Sequence, residues 1–343
     1  MSTPEITPSP EQLSQSAQLN EMLGGYQLAA LIHIAAKLGI ADLLHDGPKN
    51  SQELAHTIDA NPRNLYRVLR ALASKNIFAE NAAGQFELTP LAEPLRSDVP
   101  GSTRDWAILH GDLLVPAWND LLYGVRTDQP AFEHVFGEGF WEYLDRNPDA
   151  RENFNRGMTS RSGREQMQFL DDLDLSGVAK IVDVGGGEGG LLTAILQAHP
   201  GMRGVLFDLP EVVQGAEESM QSAGVAERCE LVGGSFFDSV PSGGDLYVLQ
   251  AVIHNWDDEP AITILKNCRR ATRDNGRLVL IDTVIKPGNQ PEPNKMADIS
   301  MMLLLGALER TELEFQALFE ASGFRLVNII PHRPRSIILG EPV

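Results

Sequence analysis

The chain has 343 residues, which exceeds the usual size of one domain, so we expect two domains. Its formal net charge of −19 at pH 7 disfavours nucleic acid and anionic membrane surfaces as partners, and suits a soluble protein with a neutral or small ligand. With only two cysteines, Cys229 and Cys268, and neither a signal-peptide pattern nor a long apolar run, we expect no disulfide framework, no membrane span and a cytoplasmic location.

The first part of the chain reads as a winged-helix domain. Residues 1–20 are polar and contain prolines, which is typical of a mobile arm. Residues 26–44 are apolar on several sides of the predicted helix, so we expect this helix to be buried, either within its own chain or against a partner chain. After it come a short helix that Ser51 can cap, a second helix that begins at Asn61-Pro62, and two strands, 77–80 and 85–88, around Gly84.

The second part of the chain changes from helices to an alternation of strands and helices. Residues 105–170 have a helical pattern. Beyond residue 174, strands alternate with helices, which predicts a parallel sheet covered on both faces. The predicted strands are 180–184, 204–208, 229–233, 245–250 and 277–282, and the helices include 191–198, 210–224 and 260–272. We therefore expect a winged-helix-like domain over residues 1–105 and a Rossmann-like α/β domain over residues 106–343.

A glycine-rich turn follows the first of these strands and predicts a site for a nucleotide-type cofactor. Gly185, Gly187 and Gly190 fit the dinucleotide pattern G-x-G-x-x-G. The same stretch also fits D-x-G-x-G-x-G, with Asp183 two residues before the first glycine. Since a carboxylate repels a pyrophosphate and attracts a cation, Asp183 favours the sulfonium cofactor S-adenosylmethionine over a nicotinamide dinucleotide.

Asp208 is a candidate for binding the ribose of that cofactor. It ends the second predicted strand, 21 positions after Gly187, where a carboxylate can accept both ribose hydroxyls. The alternative is that Asp208 caps the helix that starts at Pro210. The carboxyl ends of parallel strands lie at one edge of a sheet, so the glycine turn, Asp208 and the ends of the later strands are expected to meet there.

His254 is a candidate general base, because it follows the fourth strand and an imidazole can accept a proton near neutral pH. Asp282, at the end of the fifth strand, and Glu309 can orient its ring. The alternatives are a structural histidine, a loop-starting Asp282 and a solvated Glu309. Phe154, Met158 and Met302 have helical spacings typical of core residues, and they can also line a pocket for a flat ligand. The histidines and cysteines show no metal-ligand spacing, so no metal is expected.

The chain resembles the small-molecule O-methyltransferases of the plant caffeate type and their bacterial relatives. The resemblance is carried, in this order, by the glycine turn, Asp208, His-Asn-Trp-Asp-Asp-Glu at 254–259 and Glu-Arg-Thr-Glu at 309–312. The resemblance runs from about residue 19 to residue 340. It implies a class I methyltransferase fold, a homodimer formed through the N-terminal winged-helix domain, and His254 as base between Asp282 and Glu309. It implies S-adenosylmethionine as cofactor, with binding residues Asp183, Gly185, Gly187, Asp208, Leu209, Ser235, Phe236 and Gln250.

Three residues depart from the family pattern. Ser235 replaces the usual Asp near the adenine amino group, Gln250 replaces a Lys, and Asn255 replaces the common Asp after the histidine, where it is expected to contact substrate. The family usually has Glu at the position of Asp282. The resemblance implies methylation of a phenolic or enolic small molecule of secondary metabolism. Three alternatives are a relative that binds the cofactor without methyl transfer, a winged-helix regulator that uses Arg63, Arg67 and Arg70 on DNA, and a nicotinamide oxidoreductase.

Overall fold

The computed structural model describes residues 10–170 and 172–343. The chain divides into two compact units: Leu114–Pro148 and Arg161–Val343 form one, and Asp149–Ser160 joins the residues up to Leu113 in the other. Among the described residues, no helix is both long enough and apolar enough to cross a membrane.

Among the described residues, the N-terminal unit contains five α-helices of its own and a two-stranded hairpin. They are α1 (Pro10–Lys37), α2 (Ile40–Leu43), α3 (Ser51–Thr57), α4 (Pro62–Ala73), β1 (Phe78–Glu80), β2 (Phe86–Leu88) and α5 (Arg104–Leu109). β1 and β2 pair antiparallel, so the predicted succession of two helices and a hairpin is confirmed. An apolar core shared by all these elements includes Leu54, Leu69 and Phe86, each fully buried.

Two details of this unit differ from the expectations. Asn50, rather than Ser51, caps α3, because its side chain accepts from the backbone N–H of Glu53 while the Glu53 side chain accepts from that of Asn50. The stretch expected to be a mobile arm, residues 1–20, is helical from Pro10 onward, and residues 1–9 lie outside the described part.

The second unit contains a seven-stranded sheet with helices around it. Its strands are β3 (Lys180–Val184), β4 (Arg203–Asp208), β5 (Cys229–Gly233), β6 (Leu246–Gln250), β7 (Arg277–Asp282), β8 (Phe324–Ile330) and β9 (Ser336–Pro342). Its helices are α6 (Val115–Asn119), α7 (Leu121–Thr127), α8 (Ala131–Phe136), α9 (Phe140–Arg146), α11 (Gly190–Ala198), α12 (Pro210–Ser222), α13 (Asp258–Ala271), α14 (Asn294–Leu305) and α15 (Glu312–Ser322). Helix α10 (Pro148–Leu170) runs through both units.

The strand order is β5-β4-β3-β6-β7-β9-β8. All five predicted strands are present and parallel, within one residue of their expected limits. The prediction of a parallel sheet is incomplete, however, because β9 lies antiparallel between β7 and β8. β8 and β9 are joined by a short loop rather than by a crossover helix, and only antiparallel strands can be joined in this way.

The sheet is covered on both faces, as predicted. Val182 belongs to the apolar cluster on one face and Ile181 to the cluster on the other, because successive side chains of a strand point to opposite sides. The chain proceeds from β3 outward to β5 on one side, and through β6 to β7 on the other. Ligands of such sheets bind beyond the carboxyl ends of the strands at this switch point, which here is the end of β3.

Candidate active site

The turn after β3 is a tight glycine loop with open space at its centre. Gly185 and Gly187 have φ angles of 69° and 58°, which favour glycine. The Gly185 N–H donates to the Phe207 carbonyl (2.7 Å), and a Cβ at Gly185 would lie 2.8 Å from Val252 Cγ2. At Gly187, by contrast, a Cβ would meet nothing within 4 Å. The backbone is therefore held by packing at Gly185 and open to a ligand at Gly187.

Asp183 lies beneath this turn as a buried acid. It is 1% exposed, and neither carboxyl oxygen makes a hydrogen bond to another described residue. A Cβ on Gly186 would lie 2.7 Å from Asp183 Oδ2, so the carboxyl group packs directly against the turn. Burial first, and then the charge of Asp208, raise the pKa of Asp183 to about 7, against a smaller opposing effect of the Leu192 backbone. A cation bound near the turn would stabilise the charged carboxylate and so lower the pKa of Asp183.

Asp208 ends β4, and its carboxylate links this strand end to the glycine turn. Its Oδ2 accepts from the Gly187 backbone N–H (2.8 Å) and its Oδ1 from that of Leu209 (2.7 Å). Burial is the main cause that raises its pKa. The alternative role as a helix cap is not supported, since Leu209 is the N-cap of α12 and no side chain caps that end. Leu209 itself is exposed.

The other predicted cofactor residues lie after β5 and at the end of β6. A Cβ at Gly185 would lie 3.6 Å from Phe236 Cε1, so the Phe236 ring borders the glycine turn. The Phe236 carbonyl accepts from Asn267 Nδ2 (2.7 Å), which fixes this loop. Ser235 Oγ accepts from the Phe237 N–H (3.2 Å). Gln250 Nε2 is buried without a hydrogen-bond partner among the described residues.

His254, Asp282 and Glu309 form one cluster, although they lie far apart in the chain. His254 Nδ1 is 3.0 Å from Glu309 Oε1 and 3.6 Å from Asp282 Oδ1. The backbone N–H of His254 also donates to Asp282 Oδ2 (3.2 Å). Both carboxylates are buried, and the imidazole is nearly so. The ring is thus held at Nδ1, which directs Nε2 away from the carboxylates.

Burial and charge act in opposite directions on this imidazole. Burial lowers the pKa of His254. The charges of Asp282 and Glu309 and the hydrogen bond that Glu309 accepts outweigh this effect, so the pKa is raised above 6.5. Arg335 adds a smaller lowering effect. Burial also raises the pKa of Asp282, in part against the charge of His254. The three donor atoms lie within 4.8 Å of one another, so this set of side chains can also hold a divalent cation.

The four residues expected to contact substrate fall in different places. Asn255 is adjacent to His254, and its Nδ2 donates to the carbonyl of Ala251 (2.9 Å), a residue whose φ is 54°. Met302 is half-buried on α14, a helix that contacts the His254 turn. Phe154 and Met158 are half-buried in the first unit.

Two residues at the site were not singled out from the sequence. Arg310 was read only as part of a motif, but its side chain is 1% exposed and contacts the His254 loop. Asp298 on α14 accepts from the backbone N–H of Glu309 (2.8 Å). Its place in the Glu-Arg-Thr-Glu motif and its positive charge between two acidic residues are the sequence signals that could have identified Arg310.

The crevice fits the methionine and ribose ends of S-adenosylmethionine. Its floor has an unpartnered buried acid, Asp183, suited to a cationic ligand, and its wall has the Asp208 carboxylate. The space at Gly187 admits a ligand against the backbone, and Phe236 supplies an apolar ring beside it.

Two family models match the chain. The O-methyltransferase domain matches residues 118–325, and the O-methyltransferase dimerisation domain matches residues 20–98. The chain is 44% identical over 329 residues to phenazine O-methyltransferase PhzM of Lysobacter antibioticus, which covers 96% of each chain.

Solved structures agree with this assignment. The crystal structure of LaPhzM has a TM-score of 0.91 at 43% identity, covering 96% of this chain and 99% of that one. The structure of NcsB1, an O-methyltransferase from neocarzinostatin biosynthesis in complex with S-adenosylmethionine and 2-hydroxy-5-methyl naphthoic acid, has a TM-score of 0.82 at 31% identity, covering 92% of this chain and 96% of that one. Two further relatives are named as N-methyltransferases. The chain therefore belongs to the O-methyltransferase family: it is an S-adenosylmethionine-dependent methyltransferase with an N-terminal dimerisation domain.

Proposed function

We propose that this enzyme methylates a hydroxyl group of a phenolic or enolic small molecule of secondary metabolism, with His254 as the general base. The observation that carries the proposal is the His254 ring, held at Nδ1 by Glu309 at 3.0 Å and Asp282 at 3.6 Å. This arrangement follows the ends of two neighbouring strands, β6 and β7, at the edge of the sheet where the glycine turn also lies.

The cofactor would be held by residues at the ends of β3, β4, β5 and β6. Asp183 would face its cationic part, Gly185 and Gly187 would admit it against the backbone, and Asp208 would accept the ribose hydroxyls. The remaining binding residues would be Leu209, Ser235, Phe236 and Gln250, with Phe236 packing on adenine. When bound, S-adenosylmethionine supplies an electrophilic methyl group.

His254 would act through Nε2. A carboxylate can only accept a hydrogen bond, so Glu309 favours the tautomer with the hydrogen on Nδ1. This tautomer leaves the Nε2 lone pair free to accept the substrate's hydroxyl proton. The resulting imidazolium would be stabilised by Asp282 and Glu309, whose charges already raise the His254 pKa. General-base catalysis of this kind contributes about 10²–10⁴-fold to rate. Asn255, Met302, Phe154 and Met158 are proposed to contact the substrate.

Replacing His254 tests this role. We expect His254→Ala to lower kcat by about 100-fold or more, because the base is lost. Binding of S-adenosylhomocysteine, measured by calorimetry, should change less than about two-fold. The matched control is His199→Ala, a histidine at the end of α11 outside the cluster. Unchanged turnover in His254→Ala would remove His254 from the mechanism.

The probe 3-amino-4-hydroxybenzoate separates O-methylation from N-methylation, since one molecule offers both groups. We expect a product heavier by one methylene unit, with the new methyl carbon on oxygen by NMR. A methyl group on nitrogen would contradict the proposed hydroxyl substrate. A panel that adds 1,4-dihydroxy-2-naphthoic acid and a hydroxyphenazine tests the second candidate, an enzyme that holds the cofactor without methyl transfer. That candidate is favoured if S-adenosylhomocysteine binds and no acceptor gains mass.

We further propose that the enzyme is a homodimer. Helix α1 exposes Leu19, Met22, Leu23 and Tyr26, which have the spacing i, i+3, i+4, i+7 and so share one face. Contiguous exposed apolar side chains of this kind mark association surfaces. Three of these four residues, Met22, Leu23 and Tyr26, lie within residues 20–98, the part that matches the dimerisation model.

A further inference from the structure

Arg310 is a buried cation outside the proposed catalytic cluster, and the proposed mechanism gives it no part. It immediately follows Glu309, and its side chain is 1% exposed. A buried charge is costly unless it is paired and hydrogen-bonded, so its contacts show what it holds in place.

The guanidinium binds the loop that carries His254 on both sides of that residue. Nη1 donates to the Ile253 carbonyl (3.3 Å) and Nη2 to the Trp256 carbonyl (2.9 Å). Nε and Nη2 both donate to Asp258 Oδ1, at 3.1 and 2.8 Å, in the first turn of α13. The planar fork of Arg can satisfy these acceptors together, whereas the single ammonium of Lys cannot reach them in the same geometry.

The backbone of the same residue fixes Glu309 relative to the end of β7. Arg310 forms a parallel bridge with Val284, and its carbonyl accepts from the Ile285 N–H (3.0 Å). Val284 follows Asp282 by two residues. Arg310 thus joins the three segments that carry His254, Asp282 and Glu309: its side chain holds the first, and its backbone joins the other two.

We propose that Arg310 is a positioning residue that sets the distance between the His254 ring and Glu309. This inference rests on the proposed role of His254, since only then does the distance affect turnover. The His254 backbone is anchored separately to Asp282, so loss of the Arg310 fork should loosen mainly the contact between Nδ1 and Glu309.

Arg310→Lys tests the proposal, because it keeps the charge and removes the fork. We expect kcat to fall by about 10–100-fold, as for a misplaced catalytic group, with the Kd of S-adenosylhomocysteine within two-fold. The decisive readout is the His254 titration by NMR, assigned by its absence in His254→Gln. The midpoint should move from its raised value toward 6.5 as the Glu309 contact weakens. A native midpoint in a folded Arg310→Lys protein would overturn the proposal, even if the melting temperature falls.

Two further variants complete the test. Arg325→Lys is the matched control, since Arg325 forms an exposed ion pair with Glu341 and should change neither kcat nor the titration. Asp258→Asn removes the ionic partner of Arg310, and because the Asp258 side chain is 67% exposed, this variant should fold. It therefore tests the positioning role of Arg310 if Arg310→Lys does not fold. A His254 shift in the same direction supports the proposal, and an unchanged titration overturns it. The titration tests the positioning role of Arg310 without any turnover. If His254 is not the base, this appears separately, as full activity in His254→Ala.

Discussion

At the scale of single residues, the proposed mechanism depends on the His254 imidazole, whose pKa is set by two opposing effects. Burial lowers the pKa of His254, and the two carboxylates raise it further than burial lowers it. The base must be neutral to accept a proton. We therefore expect kcat/KM to rise with pH to a plateau, with a midpoint above 6.5.

Glu309→Gln should move that midpoint down, because one of the charges opposing burial is removed while Asp282 remains. The rate on the plateau should also fall, since the imidazolium loses a partner. The measurement is a pH profile with one acceptor and saturating cofactor, so that the acceptor's own ionisation is the same in each protein. Glu320→Gln, an exposed acid on α15, serves as the control. A midpoint that does not move would mean that Glu309 has no electrostatic effect on the base.

The buried acid beneath the glycine turn predicts a pH dependence of stability. The pKa of Asp183 is about 7 in the folded chain, above its ordinary value of 3.8, because burial disfavours the charged form. The folded state therefore holds a proton that the unfolded state releases. The protonated Asp183 therefore contributes to the free energy of unfolding at low pH. This contribution is lost as pH rises from about 4 through 7, at about 1.4 kcal/mol per pH unit.

Asp183→Asn should remove this dependence, because an amide keeps the shape of the protonated acid and does not titrate. As pH rises from 5 to 8, we expect the free energy of unfolding of the natural protein to fall by a few kcal/mol relative to that of the variant. Urea denaturation of both proteins at one protein concentration measures it. Parallel pH curves would show that Asp183 is ionised throughout.

At the scale of elements, substitutions at two glycines distinguish the backbone strain that an added methyl group causes from its steric effect on cofactor binding. Gly187 and Gly177 both have positive φ angles, 58° and 73°, and a Cβ at either would meet nothing within 4 Å. Each Gly→Ala change should therefore cost a similar strain of about 1–2 kcal/mol in stability. Only at Gly187 would the methyl group enter the proposed cofactor crevice. We expect Gly187→Ala to weaken S-adenosylhomocysteine binding at least 10-fold by calorimetry, and Gly177→Ala to leave it unchanged. Equal affinities would place the cofactor elsewhere.

The elements also show what could be predicted from the sequence. Strands β3 to β7 were predictable because each is a short apolar run that ends at a glycine or a polar residue, and the strand-end rule then brought His254 and Asp282 to one edge. The antiparallel pair β8 and β9 was missed, since no helix separates it and the alternation rule does not apply. Arg310 was missed because its contacts with Ile253 and Trp256 join positions more than 50 residues apart, and no local pattern encodes such contacts.

At the scale of the whole molecule, an acidic chain must associate through a surface with few charges. The net charge of −19 makes two copies repel each other, so a dimer needs an apolar face to offset the repulsion. The exposed face of α1 provides one.

Met22→Glu tests this surface, because Glu keeps the helix and places a charge at the centre of the face. Met22 is 75% exposed in the single chain. Burying its side chain in a dimer is worth about 1.5–3 kcal/mol, and in a two-fold dimer the change occurs twice. We expect the dimer dissociation constant, measured by analytical ultracentrifugation, to rise at least 100-fold.

The matched control is Leu313→Glu, because Leu313 is 76% exposed, lies in the first turn of α15 and falls outside residues 20–98. An acid in the first turn of a helix is favourable, so this variant should fold normally. Both variants add the same charge to the chain, and the general repulsion between copies therefore rises equally. If both proteins dissociate alike, net charge rather than the α1 face governs assembly. If Met22→Glu alone yields monomers, the α1 face is the contact between copies.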